Sequence, residues 1–214
     1  MKTQKKFLDA RSLTIMSMMT ALILLFSFTP IGSIPIGPLV ITLNIIPVAI
    51  AAITLGPKGG LAMGSVFGVM SFLQCLGIGI PSGMGAILFG INPVLAFVQR
   101  FVPRALDGFL VGLIFMAVKK RYGNIPACFV AGFCCAFLNT LLFMSALVAL
   151  FGQTEYVQGL IAGRNVIVFI CAFVGVNAVV EMIVSTVVTG LVGSALFRAK
   201  LLPAGQRAKS AQNA

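Results

Sequence analysis

Residues 92–118, NPVLAFVQRFVPRALDGFLVGLIFMAV, form an apolar run that carries Arg100, Arg104 and Asp107 in its interior. About 20 helical residues rising about 1.5 Å each cross the hydrocarbon core of a bilayer, so the run is long enough to span it. The three charges are spaced i, i+4, i+7 and share one helix face. Each costs about 2.5–3.5 kcal/mol near the bilayer centre on insertion scales, so that face must turn toward a polar interior. Pro103 removes one backbone hydrogen bond between the arginines, which predicts a kink there. Two readings follow: a structural Arg104–Asp107 pair at i, i+3, or a buried site for a small polar or anionic solute.

The remaining sequence has the same character. Hydrophobic residues make up 59% of the 214 and charged residues 9%. Soluble domains carry about 25% charge, so the chain is an all-α integral membrane protein forming a single transmembrane domain over 1–214. The net charge of +11 first suggests nucleic acid, but twelve of the fifteen Lys and Arg residues fall in four places: 2–11, Lys58, 119–121 and 198–209. These alternate with apolar segments, the pattern of the positive-inside rule, with anionic lipid headgroups as a secondary contact. The expectation is a multi-pass cell-membrane protein with basic cytoplasmic tails at 1–11 and 199–214. Histidine is absent and the acids are Asp9, Asp107, Glu155 and Glu181, which argues against metal sites, cofactors and most acid–base catalysis. The five cysteines lie in apolar segments with no C-x-x-C and read as small buried hydrophobes.

Along the chain the pattern predicts six transmembrane helices with both termini cytoplasmic: Ser12–Phe28, Val40–Leu55, Gly59–Leu76, Asn92–Val118, Ile125–Phe151 and Arg164–Phe197. The first follows basic residues but lacks an A-x-A cleavage site, and reads as a retained span. Its Ser17 and Ala21 form a small-x-x-x-small pair permitting close helix approach, either inside the fold or to another subunit. Residues 29–39, TPIGSIPIGPL, hold three prolines and two glycines and predict an apolar, irregular outer loop, a lid or plug over a cavity. Gly60, Gly64 and Gly68, with Ser71 three further on, make a smooth packing face. A second glycine-rich outer loop is expected at 77–93. The turn GPKGG at 56–60 lacks the phosphate-cradling pattern, so no nucleotide site is expected. The apolar runs are continuous, without dyad alternation, which disfavours a membrane β-barrel.

Counting from each helix's basic end gives relative depth. Arg104 is 15 and Arg100 19 residues from Lys119, Asn139 is 18 from Arg121, and Glu181 is 17 and Asn177 21 from Arg198. At about 1.5 Å per residue the set falls within about 9 Å of height, a polar layer from three helices in which Arg104 and Glu181 are close enough in level to pair. The candidate substrate-binding set is Arg104, Asn139, Asn177, Glu181, Arg100, Asn92, Thr140 and Asn44.

The stretches IPVAIAAITLGPKGG at 46–60, GSVFGVMSF at 64–72, VPRALDG at 102–108, LNTLLF at 138–143 and NAVVE at 177–181 resemble, in order and spacing, the substrate-binding S components of energy-coupling-factor (ECF) vitamin transporters. Pantothenate-type members are the nearest likeness. The resemblance implies six membrane helices and capture of a B vitamin, most of all pantothenate, from outside. It implies partnership with a transmembrane coupling subunit and two ATPase subunits, outer loops acting as lids, and small residues of the first helix, here Ser17 and Ala21, acting as the docking face. Two positions depart from it. Ser17 stands where the family usually has Ala, and Asn44 where pantothenate-type members are expected to hold a histidine, which bears on the identity of the vitamin.

Other readings are an S component for a different small vitamin or precursor such as folate, riboflavin or niacin, a stand-alone secondary transporter, and a membrane-embedded enzyme. The absence of a clear internal repeat argues against the second, and the absence of histidine, a serine–base pair or a metal motif against the third. The topology is tested by labelling introduced cysteines in intact cells. Sites near Ser33, Ser82 and Gln158 should react from outside and those at Lys58 and Lys119 should not; external labelling at position 58 would overturn the layout.

Overall fold

The computed structural model describes residues 10–30, 32–36, 39–161 and 166–199. Among the described residues the regular elements are helices and one short hairpin. Its helices are α1 (Ala10–Phe28), α2 (Ile45–Leu55), α3 (Pro57–Leu73), α4 (Gly83–Ile91), α5 (Pro93–Tyr122), α6 (Asn124–Phe151), α7 (Glu155–Ile161) and α8 (Val166–Arg198). Five are long and apolar enough to cross a membrane: α1, α3 with its terminal turn, α5, α6 and the Asn177–Arg198 part of α8. The chain is thus a multi-pass membrane protein. Helix α2, at 11 residues, is shorter. Most of the basic tails, and Arg164 at the expected start of the last helix, lie outside the described residues.

The expected helix over Val40–Leu55 is divided. Strand β1 (Ser33–Ile36) pairs antiparallel with β2 (Leu39–Thr42), Ser33 opposite Thr42, and helix begins only at Ile45. Pro47 explains the boundary. In a helix starting at residue 40 it would lie in the interior and clash with the preceding turn; from Ile45 it lies in the first turn, where its missing N–H has no partner to lose. The β-branched Val40-Ile41-Thr42 then suits an extended strand. The segment read as irregular is therefore in part a regular hairpin.

Every residue of α2 from Ile45 to Thr54 is buried, as expected of a helix apolar on all sides and wrapped by others. Gly56, at φ +76°, turns the chain directly into α3, with Pro57 at the first helical position.

Helices α3 and α5 pack backbone to backbone. A methyl group on Gly60 would strike the carbonyl of Gly108, and one on Gly64 the carbonyl of Arg104. A methyl on Gly68 would lie 2.9 Å from Phe101 Cα, and one on Gly108 would in turn strike Gly60. The predicted glycine face is thus the seat of α5. On the far side, α6 and α8 are joined by Ser185 Oγ donating to the Gly132 carbonyl at 2.8 Å.

The connection after α3 and the one after α6 each contain a short helix, α4 and α7. In α4, Ser82 caps the N-terminus by accepting from Gly85 N at 3.2 Å, and Met84 and Leu88 are buried. They join Ala96, Met144, Leu147, Phe151 and the α7 residues Val157 and Ile161 in one apolar cluster. A larger cluster, centred on α2, fills the other end of the bundle. Ser82 itself is buried, so a surface label there belongs on the exposed neighbours Pro81 or Gly83.

The backbone seam makes a direct prediction. Gly64→Ala should destabilise the detergent-solubilised protein by about 1–3 kcal/mol, because a backbone carbonyl must move. Gly90→Ala, with nothing within 4 Å of the added methyl, should be neutral or stabilise by up to about 1 kcal/mol through helix propensity. Thermal unfolding of the two variants checks this; equal effects would remove the seam as a determinant.

Candidate functional site

Between the two apolar clusters lies the polar layer, and α5 supplies its cations. Arg100 is buried, with Nη1 donating to Ser71 Oγ of α3 at 3.5 Å and Nη2 to Ser82 Oγ at 3.1 Å. Gly85 makes room for it: a methyl there would lie 2.9 Å from Arg100 Nη2. Arg104, one turn on, donates from Nη1 to the Arg100 carbonyl at 3.0 Å. Its guanidinium lies 4.7 Å from the Phe67 ring centre and 4.9 Å from that of Phe143, which also stands 5.1 Å from the Arg100 guanidinium. Hydroxyls, a carbonyl and aromatic faces therefore hold both cations. In both arginines Nε is buried without a partner.

The carboxylates have other partners. Asp107 Oδ2 accepts from the Cys135 thiol at 3.3 Å, and its Oδ1 has no partner. Glu181 Oε1 accepts from the backbone N–H of Thr42 at 2.7 Å, tying α8 to the end of β2. Neither the Arg104–Asp107 nor the Arg104–Glu181 pairing read from spacing is the hydrogen-bonded arrangement. The cysteine thiol is nearer to Asp107 than the sequence suggested, and the hairpin reaches Glu181 first.

Three amides complete the layer. Asn139 and Asn177 are buried, with Asn139 Oδ1 unpartnered. Asn44 donates from Nδ2 to Ser27 Oγ at 3.2 Å while its Oδ1 has no partner. Ser27 is a junction: its carbonyl also accepts from Gln74 Nε2 at 3.3 Å and Ile80 N at 3.1 Å, fastening α1 to the connection before α4.

The predicted set is not all alike. Arg100, Arg104, Asn139, Asn177, Glu181 and Asn44 are buried. Asn92 is half-buried, and its Oδ1 caps α5 by accepting from Val94 N and Leu95 N at 3.0 and 3.1 Å. Thr140 is half-buried beside Asn139. Ser17 and Ala21 are exposed on α1, clear of the interior. Sequence reasoning overlooked Ser82, Phe67 and Phe143, whose contact with the arginines comes only from folding, and Gln99, which is fully buried. Ser71 was legible only as an extension of the glycine face.

The arrangement suits an anion. The Nε edge of a guanidinium, with an adjacent Nη, is the fork that grips a carboxylate through two parallel bonds.

The family model described as "ECF transporter, substrate-specific component" matches residues 11–193. The pantothenate transporter PanT of Leuconostoc mesenteroides is 28% identical over 195 residues, covering 86% of this chain and 91% of its own. The pantothenic acid transporter PanT of Lactococcus lactis is 28% identical over 180 residues, covering 78% and 81%. The match takes in every element that builds the polar layer: the chain belongs to the substrate-specific components of ECF transporters, and is a transport protein, not an enzyme.

Proposed function

We propose that this chain captures pantothenate from outside the cell and delivers it through an ECF complex. The observation that carries the reading is the pair of buried arginines whose Nε groups lack partners, while Glu181 Oε1 and Asp107 Oδ2 accept from other groups. Two relatives named for pantothenate support the choice of solute. Arg104 takes the carboxylate, with Arg100 beside it. Asn139, Asn177 and Glu181 position the solute's polar groups, with Asn44 and Thr140 at the edge. The hairpin, held to Glu181 through Thr42, serves as the lid. The cell-membrane topology is six spans with cytoplasmic termini, α2 and the hairpin together making the sixth. The complex supplies a transmembrane coupling subunit and two ATPase subunits, and the exposed Ser17 and Ala21 form part of the docking face.

Two experiments test this. Pantothenate and its carboxylate-reduced alcohol are titrated into wild type and Arg104→Lys. Wild type should prefer the acid. The lysine variant should bind it about tenfold to a hundredfold more weakly and lose the preference, because a charge-assisted bond contributes about 1.5–3 kcal/mol and lysine has no fork. Thermal stability is measured alongside, since truncating a buried charge partner can itself unfold a protein. Equal binding of the acid by both folded proteins would make Arg104 structural and Arg100 the next candidate. For docking, Ala21→Trp should abolish cellular uptake and leave binding by the isolated chain intact; a loss of binding would place that face inside the fold.

A further inference from the structure

Gln99 precedes Arg100 on α5 and is fully buried, yet neither its Oε1 nor its Nε2 has a hydrogen-bond partner. A sealed, unpartnered carboxamide is costly, and a leucine or methionine of similar volume would fill the position without that penalty. The chain adds to the imbalance. Pro103 stands four residues on and has no N–H, so the backbone carbonyl of Gln99 loses the partner that an α-helix would give it.

Position decides what these groups face. Cys135 bonded to Asp107 and Phe143 against Arg100 fix the antiparallel register of α5 and α6. In that register Gln99 stands at the level of Phe143 and Met144, one turn from Asn139, whose Oδ1 is also unpartnered. Ala96, a turn before Gln99 on the same face, packs in the apolar cluster with Met144 and Leu147. Gln99 therefore sits where the polar layer meets the cluster closing that end of the bundle.

We infer that Gln99 is a substrate-contacting residue: its carboxamide, with one donor and one acceptor left open, pairs with a secondary amide in the middle of the captured solute. A secondary amide presents the complementary acceptor and donor in one rigid plane. In an acid whose amide lies two methylene lengths from its carboxylate, the arginines hold one end while Gln99 and Asn139 read the next polar group. The assignment rests on the pantothenate reading for its choice of solute, and on the buried amide alone for its energetics.

The test uses the full chain in detergent, wild type against Gln99→Leu, with Gln99→Met as a second helix-compatible variant. Without ligand, removing an unsatisfied buried amide should raise the Tm by about 2–4 °C. With ligand, affinity for pantothenate should fall about tenfold, and the wild-type preference for pantothenate over its ester analogue, in which oxygen replaces the amide N–H, should vanish. A lower Tm in both ligand-free variants would overturn the inference, since it would mean that the amide is satisfied in the empty protein. Unchanged affinity would overturn it, as would weaker binding with the amide preference intact. If wild type binds no pantothenate, the substrate reading falls, and the sign of the ligand-free Tm change then decides on Gln99.

Discussion

The close approach of α3 and α5 is the constraint on which the rest depends. Glycines at 60, 64 and 68 let the α5 backbone lie directly on α3, with the Arg104 carbonyl against Gly64. Inside a bilayer there is no hydrophobic drive between helices, so contact of this kind must come from backbone packing. Because the seam fixes rotation as well as distance, it brings Ser71 to Arg100 and Phe67 to Arg104. A side chain at Gly64 would push away the helix that carries the cations.

With that geometry set, the electrostatics of the layer follow. Two guanidiniums are buried within one turn of each other. The groups in direct contact with them are hydroxyls, a carbonyl and two aromatic rings, with Asp107 and Glu181 near Arg104 but hydrogen-bonded to other groups. Each acid also links two elements. Asp107 joins α5 to α6 through Cys135, and Glu181 joins α8 to the hairpin through Thr42. A carboxylate bonded to either arginine would occupy the fork that the proposed solute takes. A substrate-specific component of an ECF transporter has to hold its solute and later release it, and in the proposed role cations free of a hydrogen-bonded salt bridge suit that better than an internal ion pair.

Much of the site was legible because charged and amide side chains in an apolar run are rare and costly. Arg100, Arg104, Asn139, Asn177 and Glu181 stood out for that reason, and all are buried. Their pairing was not legible. Spacing along α5 placed Asp107 beside Arg104, while its partner comes from α6, a segment distant in sequence. Gln99 was passed over because, directly beside Arg100, it stands outside the face shared by Arg100, Arg104 and Asp107. The hairpin and α4 were read as loops from their prolines and glycines. Those residues punctuate a segment, but whether the residues between them pair or coil depends on what they dock against.

Sequence by itself determined that this chain enters a membrane, where its long helices run, and which residues are too polar to face lipid. Those properties depend on composition and period, which are local. The tertiary structure decided which partner each polar group takes, that α2 starts at Ile45 behind a hairpin, and that Asn92 caps a helix. Hydrogen bonds in a low-dielectric interior go to whichever complementary group the packing brings within about 3 Å, and packing is set by contacts between segments far apart in the chain.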